Sequence, residues 1–206
     1  MSGAAATGRF RLGVFGGAFD PPHIAHVALA QAAVSQLQLD QLRIFPTGQA
    51  WHKARTLTAG EHRLEMAREA FSAVPKAVVD GRELQRAGPT YTVDTLRELR
   101  AEFPAAELLL VIGADQAEAL HSWRDSGQIM QLAIISIAAR ARPVRAGGNF
   151  DASNLPAGRL EPVELPSMPV SATDIRARVA AGEPIADLVP AGVARYIDRY
   201  HLYQAT

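Results

Sequence analysis

The 206-residue sequence contains no cysteine. That excludes disulfides, cysteine zinc sites and thiolate catalysis, and it suits a reducing cytoplasm. Net charge is also lacking, because 21 Lys and Arg balance 21 Asp and Glu. A non-specific grip on nucleic acid needs a basic surplus, so no nucleic-acid partner is expected. Long apolar stretches are absent as well. The longest nearly unbroken one, residues 132–139, falls far short of the ~20 residues that cross a bilayer, so no membrane partner is expected either. The opening MSGAAATG, residues 1–8, has neither the basic region nor the apolar centre of a signal peptide and reads as a frayed tail. No repeat of solenoid length is present. The glycines match neither Gly-x-Gly-x-x-Gly nor the Walker pattern ending in Gly-Lys-Ser/Thr, which disfavours a dinucleotide-binding dehydrogenase and a P-loop enzyme. Nothing in a neutral chain indicates its oligomeric state.

What remains is a chain with 48% hydrophobic residues, enough for one globular domain over residues 9–206. Apolar runs of strand length alternate with longer helical patterns. Strands are expected at residues 10–15, 42–46, 76–80, 107–112, 132–138 and 160–165. Helices are expected at 24–37, 61–74, 91–103, 173–181 and 192–201. The strand runs show little polar alternation, as in a sheet covered on both faces. Their alternation with helices predicts parallel βαβ units, an α/β fold. Residues 140–160, rich in Arg, Gly and Pro, read as a surface excursion. Ser171 and Asp174 have capping-box spacing and mark a helix start.

Ligands of parallel sheets gather beyond the carboxyl ends of the strands. After the first strand stands GVFGGAFDPPHIAH, residues 13–26. Gly16 and Gly17 let backbone amides approach a ligand closely. The helix that follows points its N-terminus at the same place, which favours phosphate. His23 and His26, three apart, share one side of its first turn and offer donors to phosphoryl oxygens. A His pair alone also suits a metal, but no third ligand accompanies it.

This stretch resembles the nucleotidyltransferase signature GxFGGxFDPxHxGH, and its longer form is similar to that of the bacterial nicotinate-nucleotide adenylyltransferases. Ala25 stands where the family usually has Gly. Four further elements agree with the resemblance. In Trp51-His52-Lys53, Lys53 matches a family lysine that reaches the nucleotide phosphates, although Trp51 replaces the usual proline. Glu83-Leu84-Gln85-Arg86 and Gly88-Pro89-Thr90-Tyr91-Thr92-Val93-Asp94-Thr95-Leu96 resemble the stretch whose helix start holds the nicotinate carboxylate, with Thr90 or Thr92 serving equally well as a plain N-cap. Ile112-Gly113-Ala114-Asp115 and Trp123 resemble a Gly-x-Asp…Trp element. Val170-Ser171-Ala172-Thr173-Asp174-Ile175-Arg176 resembles Ile-Ser-x-Thr-x-x-Arg.

The resemblance, which runs from about residue 11 to about 203, implies a Rossmann-like doubly wound parallel sheet of nucleotidyltransferase type, with a small C-terminal helical part. It implies transfer of AMP from ATP to nicotinate mononucleotide, giving deamido-NAD and pyrophosphate. His23, His26, Lys53 and Arg176 would be catalytic. Gly16, Gly17, Ala18, His26, Gly113, Asp115, Ser171, Thr173 and Arg176 would bind ATP, and Phe19, Tyr91, Thr92 and Trp123 the mononucleotide. Mg²⁺ would arrive on ATP rather than in a protein cage. Rival readings are an adenylyltransferase for nicotinamide mononucleotide, a phosphopantetheine adenylyltransferase, a fragment related to class I aminoacyl-tRNA synthetases, and a nucleotide-binding regulator without turnover. The phosphopantetheine enzyme usually has Thr where His23 stands, and no Lys-Met-Ser-Lys-Ser-like segment supports the synthetase.

Overall fold

The computed structural model describes residues 9–49, 56–140 and 159–205. Six strands form one parallel sheet: β1 (Arg11–Gly17), β2 (Gln41–Pro46), β3 (Ala77–Val79), β4 (Glu107–Gly113), β5 (Ala133–Arg140) and β6 (Leu160–Leu165), in the order β3-β2-β1-β4-β5-β6. The chain winds outward from β1 to one edge, then restarts at β4 and winds to the other. Helices are α1 (Ile24–Gln36), α2 (Gly60–Phe71), α3 (Thr92–Glu102), α4 (Ala114–Ala119), α5 (Ser126–Leu132), α6 (Ala172–Ala180) and α7 (Ala191–Arg199). The expected doubly wound α/β sheet is present.

The two faces of the sheet explain the unbroken apolar runs. In β4, Leu109 and Val111 enter a core shared with Leu29, Ala33, Met66, Phe71, Ile175, Val193 and Ile197. Leu108, Leu110 and Ile112 enter a second core with Val93, Leu96, Leu99, Ala117 and Ile129. Successive side chains point to opposite faces, and both faces are buried. Helices α1, α2, α6 and α7 therefore cover one face, and α3, α4 and α5 the other. The C-terminal helices α6 and α7 share the first core, so the expected C-terminal helical part is seated on the sheet.

Two helices were not expected, α4 and α5. Each spans fewer than two turns, too short for a 3.6-residue period to register. The helix α5 runs directly into β5, so the strand opens at Ala133 and not at residue 132. The tail at residues 1–8, the Lys53 loop and most of the 140–160 excursion lie outside the described residues.

Candidate active site

Strand β1 pairs with β4 only as far as Val14 and Leu110, whereas it stays paired with β2 through Gly17 and Pro46. In turn β4 stays with β5 through Gly113 and Ala138. The two central strands thus part at their carboxyl ends, where the winding reverses, and a crevice opens between them. It is a cavity of about 850 Å³ whose lining includes Gly16, Gly17 and Ala18 from the first strand end and Ile112 and Gly113 from β4. That size suits a small-molecule ligand. A Cβ on Gly16 would approach nothing nearer than Phe45 O at 4.0 Å, and one on Gly113 nothing within 4 Å. The protein itself does not require these glycines; their missing side chains leave the crevice open.

At one end stand the histidines. His26 Nδ1 accepts the backbone N–H of His23 at 3.2 Å. A neutral His26 ring therefore carries its proton on Nε2 and presents a donor there. The two rings stack with centroids 3.7 Å apart. His23 is 7% exposed, its Nδ1 is buried with no hydrogen-bond partner among the described residues, and burial holds its pKa at about 4, against an ordinary 6.5. The expected ligand residue Phe19 lines the same cavity, but its ring is 1% exposed. It packs edge-on against Phe15, Phe71 and His26 at 5.5, 5.4 and 5.2 Å. Phe19 has φ +47° and thus turns back into the core, where it props His26 instead of offering its face to a ligand.

Arg176 and Thr173, from α6, line this end of the cavity. Arg176 donates to the Asp20 carbonyl at 2.8 Å and to Thr173 Oγ1 at 3.2 Å. Ser171 caps α6: its hydroxyl accepts Asp174 N–H at 3.1 Å and donates to the Asp174 carboxylate at 2.8 Å. Asp20 was quoted in the signature but given no role, and it is the hub. It is 2% exposed. Its carboxylate accepts from the Tyr203 hydroxyl at 2.6 Å and from Thr58 N–H at 3.2 Å. One residue thereby ties the β1–α1 turn to α6, to the start of the segment before α2, and to the C-terminus. Burial, and next the Asp20 charge, push the Tyr203 phenol well above its ordinary range, so it stays a donor. Arg63, equally buried, donates to the carbonyls of Ala18 and Thr47 at 2.9 and 2.7 Å and stiffens the same turn.

At the other end the lining includes Tyr91, Thr92 and Trp123, with Thr90, Gln116 and Arg124 beside them. Neither Thr90 nor Thr92 caps α3. Its N-cap is Tyr91, with no side-chain hydrogen bond to the helix. The free amides of this N-terminus favour an anion. Asp115, expected to bind ATP, is exposed at the mouth of this region and lies outside the lining residues of the cavity. The chain enters α4 directly after Gly113, which turns Asp115 outward and brings Gln116 to the lining. Glu83 was quoted in a motif but given no role. Its buried carboxylate accepts from Thr95 Oγ1 at 2.6 Å, and Arg86 donates to the same Oγ1 at 2.9 Å. Burial raises its pKa to about 7.

Glu83 and His23 set opposed pH slopes. His23 has a folded pKa below its unfolded value, so its contribution to stability is full above about 6.5 and is lost as pH falls toward 4. Glu83 has a raised folded pKa, so its contribution is full below 4.5 and is lost as pH rises through 7. Each is worth about 2 kcal/mol between pH 5 and 7, with opposite sign. Urea unfolding of His23→Asn should accordingly show stability falling from pH 5 to 7, relative to the parent, and Glu83→Gln should show it rising. Parallel curves for parent and variants would contradict these assignments.

A cytidylyltransferase-like family model matches residues 14–178. A probable nicotinate-nucleotide adenylyltransferase of Albidiferax ferrireducens is 57% identical, covering 94% of this chain and 98% of its own. The chain belongs to the nicotinate-nucleotide adenylyltransferase family. A second member, from Clavibacter sepedonicus, is 43% identical over 98% of each chain. In solved structures the fold matches Plasmodium falciparum nicotinic acid mononucleotide adenylyltransferase complexed with NaAD, with TM-score 0.73, 19% identity, and coverage of 94% of this chain and 97% of that one. In this chain Gly16, Gly17, His23 and His26 of the signature share one cavity with Tyr91 and Trp123.

Proposed function

We infer that the protein transfers the AMP part of ATP to nicotinate mononucleotide, forming deamido-NAD and releasing pyrophosphate. The observation that carries the reading is the two-ended cavity, with stacked histidines and Arg176 at one end and an uncapped helix start beside a tryptophan at the other. The 5′-phosphate of the mononucleotide attacks the α-phosphorus of ATP; that P–O bond forms as the bond to the β-phosphate bridge breaks. The nucleophile is already an anion, so positioning and charge stabilisation do the catalytic work. His26 donates from Nε2 to the α-phosphate. The amides near Gly16, Gly17 and Ala18 cradle phosphate oxygens, while His23, Arg176, Thr173 and Lys53 bind the departing phosphates. Phosphopantetheine and nicotinamide mononucleotide are the disfavoured acceptors.

Lining carboxylates Asp20 and Glu83 are held by Tyr203, Thr58 and Thr95. They offer no ready cage, so Mg²⁺ fits as an ion carried on the triphosphate, where it would offset charge on the leaving pyrophosphate. The partners are two small molecules, and a cytoplasmic setting accords with the cysteine-free sequence.

Incubation with ATP, Mg²⁺ and nicotinate mononucleotide should give deamido-NAD by mass and an equal amount of pyrophosphate; pyrophosphate without the dinucleotide would refute the reading. Trp123, half-buried against the second core, stacks its ring on the pyridine. Trp123→Ala should raise KM for the mononucleotide by about five- to tenfold, the worth of one aromatic stack, with KM for ATP little changed. An unchanged KM would make Trp123 a core residue only.

A further inference from the structure

The acid and the amide mononucleotides differ at one place, a carboxylate against a carboxamide on the pyridine ring. We propose that Arg124 is the side chain that selects the acid, through a guanidinium placed at the pyridine end of the cavity. The proposal rests on the reading that this cavity takes a pyridine mononucleotide.

Arg124 lines the cavity beside Trp123. Its guanidinium carbon lies 4.6 Å from the centroid of the Tyr91 ring, a cation–π distance that fixes the charge over that ring. Tyr91 is the residue from which α3 starts, and no side chain caps that start. The guanidinium and the open helix N-terminus therefore meet at one corner, and both favour an anion.

The charge on Arg124 is available. The acidic neighbours of this corner, Asp94 on α3 and Asp125 beside Arg124, are both engaged by Arg97, at 2.8 and 3.0 Å. Arg86 is committed to Glu98 at 2.7 Å. The cavity-lining carboxyl Glu83 is raised by burial to a pKa of about 7, against the bond donated by Thr95, and so carries less charge than an ordinary carboxylate. Among the described residues, Arg124 has no ion-pair partner. A carboxylate placed here pairs its own charge, with two acceptor oxygens, against the guanidinium; a carboxamide offers one neutral carbonyl oxygen and turns no negative charge toward the cation. The helix start of α3 binds an oxygen of either group and adds a smaller preference for the anion, and the Arg124 side chain supplies the larger part of the difference.

The test compares kcat/KM for nicotinate and nicotinamide mononucleotides in the parent, R124Q and R124E. Arg124 is exposed, so all three should have nearly the same Tm. R124Q should lower kcat/KM for the acid about tenfold, the value of one partly exposed charge-assisted bond. It should leave the amide within about twofold, so that the preference shrinks about tenfold; R124E should shrink it further. Added salt should shrink the parent's preference and leave that of R124Q little changed. Equal losses with both substrates would put Arg124 on the shared phosphate and overturn the proposal. An unchanged preference would overturn it too, leaving selection to the backbone amides. No turnover of either substrate by the parent would overturn the functional reading, and this proposal with it.

Discussion

His26→Ala should lower kcat by a factor of about 10² to 10³, close to 3–4 kcal/mol, the usual cost of removing one preorganised donor to a developing charge. The assignment comes from geometry. His26 Nδ1 is occupied by the His23 amide, so Nε2 holds the proton, and the edge contact with Phe19 fixes the ring plane. The substitution also removes packing and an acceptor, so stability must be separated from chemistry. His26→Asn does this. Its short amide can still accept the His23 N–H, but it does not reach where Nε2 stood. It should match His26→Ala in kcat loss while keeping more of the parent's Tm. A kcat near the parent's in His26→Asn, measured at saturating ATP, would remove His26 from the transition state.

Asp20→Ala should be the most destabilising single change at the site. It leaves the Tyr203 hydroxyl and the Thr58 amide without the acceptor they now share, and buried groups stranded in this way cost about 1–3 kcal/mol each. A total of about 3 kcal/mol corresponds to a Tm drop of roughly 6–12 °C in a chain of this size. Activity should fall by more than the unfolded fraction explains, because Asp20 joins the turn carrying His23 to the helix carrying Arg176. Tyr203→Phe removes only one of the two donors. It should cost about half as much stability and raise KM for ATP more than KM for the mononucleotide. An Asp20→Ala protein that melts with the parent would mean that the carboxylate is not the hub its contacts indicate.

The sheet was legible because both its faces are buried, which writes the strands as plain apolar runs such as ELLLVIG over Glu107–Gly113. The ligand ends were legible where chemistry sits next to a strand end: Gly16 to His26 after β1, and Tyr91, Trp123 and Arg176 in their short motifs. The rest depended on contacts between distant residues. Tyr203 meets Asp20 across 183 positions, and no local pattern marks that pairing. Glu83 was quoted as part of a motif, yet only the fold shows that Thr95 and burial hold its carboxyl inside. Gln116 was not legible as a lining residue because α4, a helix of six residues, gives no periodic signal, and its first turn decides which side chains face the cavity. Phe19 carried a second ambiguity. An aromatic residue in a glycine-rich turn is equally at home against a ligand or in the core, and its positive φ sends it to the core.

The central claim is that one cavity joins a triphosphate to a pyridine mononucleotide. It is tested most directly by pyrophosphate release from ATP and Mg²⁺, with nicotinate mononucleotide, nicotinamide mononucleotide or phosphopantetheine supplied as the acceptor in separate reactions. Release should be fast with the first, much slower with the second and not above background with the third. Release with phosphopantetheine alone, or no release with any acceptor while ATP still binds, would contradict it.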